Sequence, residues 1–259
     1  MSSDERPLEE RLTDEPTSAG DSLTGEHAAS AIGSGPLELL GLLPNSSNYT
    51  FLVRTTSGED PVLAVYKPHR GESPLWDFAE GSLGRREVAA FVVSQALGWP
   101  KVPPTLLRDG PEGPGSVQLF VPFEPSQHYF TLQARFADEF RAIAAFDLIV
   151  NNADRKGGHC LLGEDGRVWV IDHGVCFHEE PKLRTVIWEY IDETIPSALV
   201  DDIAALGRLL AEGAPPCQEL ESLLSEAELQ ALARRIDAIV AQPVYPAPQG
   251  DRPYPWPPV

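Results

Sequence analysis

Alternating apolar and polar positions place two strands early in the chain, Tyr49–Arg54 and Val62–Tyr66, with Ser57, Gly58, Glu59 and Asp60 as the turn of a hairpin. An earlier apolar run, LELLGLL from Leu37, is separated from them by Pro44 to Asn48 and predicts a further strand. Beyond a polar loop, Val88, Phe91, Val92 and Gln95 recur at helical spacing, predicting a helix from about Leu83 to Leu97 that Gly98 ends. Two more apolar runs, VPPTLLRD and SVQLFVPF, flank the turn signal DGPEGPG. The second half changes period. Phe136, Phe140, Ile143, Asp147 and Val150 share one helical face, a polar loop and short hairpin follow, and helices are expected over about 197–212 and 226–241. Ser225 and Glu228 have the spacing of a capping box for the last of these.

This order predicts an α+β chain of two lobes, a β-rich lobe with one helix over residues 35–124 and a mainly helical lobe over 125–241. Residues 1–34 carry almost no large apolar side chains and read as a disordered acidic tail. Residues 242–259 have a proline at every second or third position and read as an extended tail. Packing of that tail on the domain would bury Tyr245, Tyr254 and Trp256; left free, it would serve as a ligand for a partner. Trp76 and Phe78 are expected to anchor the loop before the first helix.

Composition narrows the function. A formal net charge of −19 disfavours nucleic acid and anionic membrane as partners. No apolar run approaches the roughly 20 residues needed to span a bilayer. The acidic start of the chain does not resemble a secretory signal, and three unclustered cysteines fit reduced thiols in a cytoplasm.

The chemistry concentrates between Asp147 and Gly174, in DLIVNNADRKGGHCLLGEDGRVWVIDHG. Asp154 follows a helix, with Arg155 and Lys156 beside it to balance phosphate charge. Asp172 ends an apolar strand, where a carboxylate can hold a magnesium ion on phosphate oxygens. His159 stands between them, at the expected place of a second metal ligand. Lys67 ends the strand LAVYK and can neutralise phosphate, and Glu87 on the next helix can hold that lysine in place. The turn before Tyr49, ending at Asn48, can cover phosphates with its N–H groups, although it lacks glycine.

With Lys67, Glu87, Asp154, His159 and Asp172 in this order, the chain resembles the phosphoinositide 3-/4-kinase-like branch of the protein-kinase superfamily. It looks like the small bacterial members common in actinobacteria, over about Leu37 to Val240. The resemblance implies a two-lobed kinase-like fold, ATP and Mg²⁺, and a phosphate acceptor. It makes Asp154 the catalytic aspartate, Asp172 the metal ligand, Lys67 the phosphate lysine and Glu87 its partner. Val117 to Phe123, with Gln118, Phe120 and Val121, becomes the strand and hinge facing adenine, and Asn48 and Tyr49 the phosphate-side turn. The pattern departs at three places: Lys156 replaces the loop histidine, His159 the metal-binding asparagine, and His173 the phenylalanine of Asp-Phe-Gly. An imidazole suits Mn²⁺ better than Mg²⁺. The readings are therefore a kinase, including one that prefers Mn²⁺, and a catalytically inactive nucleotide-binding module. Lys182 and Arg184 stand among five acidic residues after Gly174, which argues for a protein or small soluble acceptor over a lipid. A metal site from His159, Cys160, His173 and Cys176 has the wrong spacing for a zinc knuckle.

Overall fold

The computed structural model describes residues 26–43, 48–57, 60–248 and 251–259. In chain order the elements are α1 (Glu26–Gly33), β1 (Leu37–Leu42), β2 (Phe51–Ser57), β3 (Asp60–Pro68), α2 (Leu83–Leu97), β4 (Thr105–Gly110) and β5 (Gly113–Leu119). There follow α3 (Tyr129–Leu132), α4 (Ala137–Val150), β6 (Cys160–Leu162), β7 (Val168–Val170), α5 (Ser197–Ala211), α6 (Cys217–Leu223) and α7 (Glu226–Ala241). The chain is α+β and divides into two units, one of residues up to Leu75 with Pro104–Pro122, the other of Trp76–Pro103 with Phe123–Val259.

In the first unit five antiparallel strands run in the order β1-β2-β3-β5-β4. Alternation in β2 and β3 sends Val53, Val62, Ala64 and Tyr66 to one buried face, joined there by Val117 and Leu119 of β5. Ala31 and Ile32 of α1 cover that face. Glu26–Gly33, read from sequence as part of a disordered tail, is thus a helix, and Ala31 and Ile32 close the sheet's core. Arg108 holds its end, donating from Nη1 to Ile32 O (2.8 Å) and from Nη2 to Gly35 O (2.6 Å), which occupies carbonyls a helix terminus leaves open. Residues 1–25 lie outside the described residues.

The second unit is helical, with the small β6-β7 hairpin. Its core gathers Val88, Val92 and Val93 of α2 with Phe140, Ile143, Phe146 and Ile149 of α4 and Ile236 of α7. The helix placed in the β-rich lobe by sequence order therefore buries its apolar face with the helical elements. Arg86, buried on α2, donates to Cys176 O (2.5 Å) and forms an ion pair with Glu228, its guanidinium lying 4.7 Å from the Phe78 ring. Glu228 also completes the expected capping box, accepting from Ser225 N–H at 2.8 Å. Phe78 is an anchor, as expected, but Trp76 is not: it is 92% exposed, with the Lys182 ammonium 5.1 Å from its ring centre. The short helix α6 was not legible in the apolar pattern.

The proline-rich tail packs by backbone more than by its rings. Pro253 O accepts from Thr185 N–H (3.1 Å), and Pro258 O accepts from Gly157 N–H (2.7 Å). Tyr245 is buried, but Tyr254 and Trp256 are exposed, against the expectation that packing would bury all three.

Gly115 sets how closely β5 approaches β3. A Cβ there would lie 2.4 Å from Lys67 O and 2.7 Å from Pro68 Cα, both rigid backbone. Gly115→Ala is expected to push the end of β3 away and lower stability by about 1–3 kcal/mol. Chemical denaturation measures this, and an unchanged midpoint would contradict the close packing.

Candidate functional site

The loop carrying Asp154 is built from the end of α4. Asn151 takes the left-handed conformation (φ 52°) that ends the helix, which asparagine tolerates better than most side chains. Its amide then bridges to the segment beyond Asp172, donating to His178 O (2.9 Å) and Glu180 O (2.7 Å) while accepting from Lys182 N–H (2.8 Å). Asn152, wholly buried, donates to Asp147 Oδ1 (2.9 Å) and accepts from the Asp154 N–H (2.9 Å). Asp154 is therefore held from behind by its own backbone.

Arg155 is placed differently from the expectation that it balances phosphate. Its side chain is 0% exposed, and its guanidinium turns into the core. Nε donates to Asp147 Oδ2 (3.0 Å), Nη2 to Asp147 Oδ1 (3.0 Å), and Nη1 to Ile171 O (3.1 Å). Burial works against the charge, and the Asp147 carboxylate more than offsets it. A guanidinium only donates, so the 2.7 Å contact between Arg155 Nη2 and His173 Nε2 requires that nitrogen to be the acceptor. His173 is then the Nδ1-protonated tautomer, buried edge-on to Phe146 (5.7 Å). Its N–H donates to Glu87 Oε2 at 3.0 Å, so Glu87, buried on α2, fixes the Asp-His-Gly turn.

Asp154, Lys156, His159 and Asp172 come together. Lys156 Nζ lies 3.2 Å from Asp154 Oδ2, and His159 Nε2 lies 3.1 Å from Asp172 Oδ2. Lys156 N–H points at His159 Nδ1 (3.4 Å), which leaves the proton on Nε2, facing Asp172. His159 thus sits as a donor to Asp172 in this geometry, where the sequence reading made it an independent metal ligand. Asp172 has φ 64°, an uncommon conformation for a residue with a side chain, and its carboxylate is 47% exposed. Burial raises the Asp154 carboxyl above the ordinary aspartate range, and the Asp172 charge adds to this while Lys156 and Arg155 oppose it. Hard carboxylate oxygens on a half-exposed Asp172 fit a Mg²⁺ or Mn²⁺ ion. Cys160 and Cys176 are wholly buried, with burial pushing the Cys160 thiol up to about 12, so both behave as small hydrophobes. Among the described residues no three His, Cys, Asp or Glu side chains gather as a metal site.

The residues expected on the nucleotide side lie in the sheet unit. Lys67 is half-buried near the end of β3, opposite Ser116. Asn48 Oδ1 accepts from Ser73 N–H (2.7 Å) and Tyr49 N–H donates to Gly71 O (3.1 Å), so both are tied to the segment after β3. Residues 44–47 of that turn lie outside the described residues. The Gln118 side chain is buried and donates to Thr105 Oγ1 (2.8 Å), which takes it away from an adenine-facing role. Phe120 N–H makes the last sheet bond, to Leu63 O (3.0 Å), and Val121 follows it. Asp147 and Asn152 are the positioning residues that sequence reasoning missed, although a carboxylate on the apolar face of α4 was the available signal.

The family model described as phosphatidylinositol 3- and 4-kinase matches residues 105–224, a span that takes in Asp154, His159 and Asp172. Protein Rv2133c of Mycobacterium tuberculosis is 40% identical over 267 residues, covering 90% of this chain and 95% of that protein. Phosphatidylinositol 4-kinase gamma 4 of Oryza sativa subsp. japonica is 31% identical over 58% of this chain, which spans 34% of the plant protein's length. The proinflammatory kinase CtkA of Helicobacter pylori superposes over 82% of this chain and 93% of its own, with a TM-score of 0.48 and 12% identity. Among the described residues no helix is long and apolar enough to cross a membrane.

Arg155→Met leaves Asp147 charged and buried, and is expected to cost about 3–5 kcal/mol of stability. Adding Asp147→Leu removes the orphaned charge and should restore much of that loss in urea denaturation. A double variant as unstable as the single one would contradict the buried pair.

Proposed function

Because the chain belongs to a bacterial phosphoinositide 3-/4-kinase-like family, we propose that it is an ATP-dependent phosphotransferase acting on a protein or small soluble acceptor. The observation that carries this reading is the pairing of two carboxylates, each with its own positively polarised neighbour: Asp154 with Lys156, Asp172 with His159. In this reading Asp154 orients the acceptor hydroxyl and takes its proton. A carboxyl raised by burial and by the neighbouring Asp172 is better suited to that than an exposed one. Lys156, 3.2 Å from that carboxylate, opposes the rise and lends positive charge to the transferring phosphoryl group.

Asp172 would hold Mg²⁺ or Mn²⁺, which supplies charge neutralisation on the ATP phosphates. His159 orients the Asp172 carboxylate through Nε2–H and stands in the place of a second oxygen ligand. On the sheet unit, Lys67 would offer an ammonium for phosphate oxygens, Val121 and its neighbours the polar edge for adenine, and Asn48 and Tyr49 the turn before β2. Arg155 and Glu87 serve this chemistry indirectly, the first by holding the loop and the second by holding the Asp-His-Gly turn.

One observation favours a second reading, ATP binding without turnover: the His159 proton occupies an Asp172 oxygen that a cation would use. Purified protein with labelled ATP and Mg²⁺ or Mn²⁺ separates the two. The enzyme reading expects turnover that falls about 10²-fold or more in Asp154→Ala. It also expects turnover to vanish in Asp172→Ala, together with thermal stabilisation by metal–ATP. Stabilisation of the wild type without turnover under either metal would establish the second reading.

The pH profile gives an independent check. Lys156 opposes the rise of the Asp154 carboxyl, so Lys156→Met should raise it further. More of Asp154 is then protonated at a given pH, and the acid limb of the turnover profile moves to higher pH. A limb that stays in place would remove Asp154 as the titrating group.

A further inference from the structure

Five cationic side chains, Lys182, Arg184, Arg234, Arg235 and Arg252, line one cavity of about 1030 Å³ within the helical unit. Glu179 and Asp251 are the carboxylates on its wall. This balance is opposite to that of the chain, whose formal net charge is −19. The walls come from the end of α4, the segment after the Asp-His-Gly turn, α7, and the start of the proline-rich tail. None of the residues assigned above to phosphoryl transfer lines it.

The cations are mostly uncompensated. Lys182 pairs with Asp77 at 2.9 Å, but among the described residues no carboxylate forms an ion pair with Arg184, Arg234, Arg235 or Arg252. Arg235 is the most informative of them. Its Nε donates to Ile149 O (2.8 Å) and its Nη1 to His178 O (3.3 Å), which fixes the guanidinium plane without neutralising it. Nη2 is buried with no hydrogen-bond partner. Burial, with the like charge of Arg234, lowers the Arg235 pKa to about 10, so the group is still charged at neutral pH. A half-buried cation without a carboxylate partner is costly to maintain, and an anion in the cavity would offset its charge.

We propose that this cavity is a binding site for a small phosphate-bearing anion, separate from the residues that handle ATP. The volume suits a small molecule, and the cations approach from different walls. A phosphate group offers oxygens in several directions and can meet guanidinium forks from more than one wall, where a carboxylate offers two coplanar oxygens. The site also adjoins the Asp154 loop. Asn151, which ends α4 and ties it to the segment after Asp172, lines the cavity, and Arg184 O accepts the Arg155 N–H at 3.0 Å. An anion bound there braces the backbone on which the Asp154 loop hangs.

Calorimetry on the full chain tests this with two probes at fixed ionic strength. One is inorganic pyrophosphate, and the other is vesicles carrying a phosphorylated inositol headgroup. Saturable binding of either probe is expected, weakened at least tenfold by Arg234→Gln with Arg252→Gln, two exposed positions. The double variant should keep the wild-type melting temperature and its affinity for metal–ATP. Which probe binds assigns the source of the anion, soluble or lipid-borne. Absence of saturable binding for both, or equal affinity in the double variant, would overturn the proposal. The second outcome also covers pyrophosphate held by the ATP residues, so failure here is distinct from failure of the phosphotransferase reading.

Discussion

The Arg155 guanidinium has no exposure to water, and it remains charged in the core because Asp147, Ile171 O and His173 together meet its donors. These partners come from three places in the chain: the last turn of α4, the residue after β7, and the Asp-His-Gly turn. One side chain thereby fixes where the Asp154 loop leaves its helix and where the segment bearing Asp172 returns. Asn152 repeats the arrangement on a smaller scale, bonded to Asp147 on one side and to the Asp154 backbone on the other. Breaking such a buried pair from one side leaves an uncompensated charge, so the geometry is held by a large energetic asymmetry.

That scaffold leaves Asp154 and Asp172 facing the same region with opposite environments. Asp154 is the more buried of the two and has its carboxyl raised; Asp172 is half-exposed on a strained backbone and accepts from His159. The Asp172 charge adds to the rise of the Asp154 carboxyl, and Lys156 opposes it. In the proposed reading, a metal-bound polyphosphate would lie against both carboxylates.

Much of the fold was legible in sequence because it is written in local periodicity. The helices over 83–97 and 226–241, the glycine that ends the first and the capping box that opens the second lie where spacing puts them. The order of Lys67, Glu87, Asp154, His159 and Asp172 carried the family. What local pattern could not carry was the fate of charged and aromatic side chains. Arg155 beside Asp154 reads as a phosphate ligand until Asp147 is brought against it by tertiary packing. Trp76 reads as core and stands in solvent, and Glu26–Gly33 reads as tail because Ile32 is its one large apolar side chain. The basic cavity was invisible for a similar reason: its cations are scattered from Lys182 to Arg252 among acidic neighbours, and only the fold gathers them.

In the proposed reading Asp172, set by this buried network, is where a divalent cation and nucleotide meet. Electron paramagnetic resonance of Mn²⁺ tests it directly. Free and bound ion are measured with and without a non-hydrolysable ATP analogue, in wild type and in Asp172→Asn. The account predicts that the analogue tightens Mn²⁺ binding in the wild type and that Asp172→Asn abolishes the tightening. Equal Mn²⁺ affinity in the two proteins, with or without nucleotide, would contradict it.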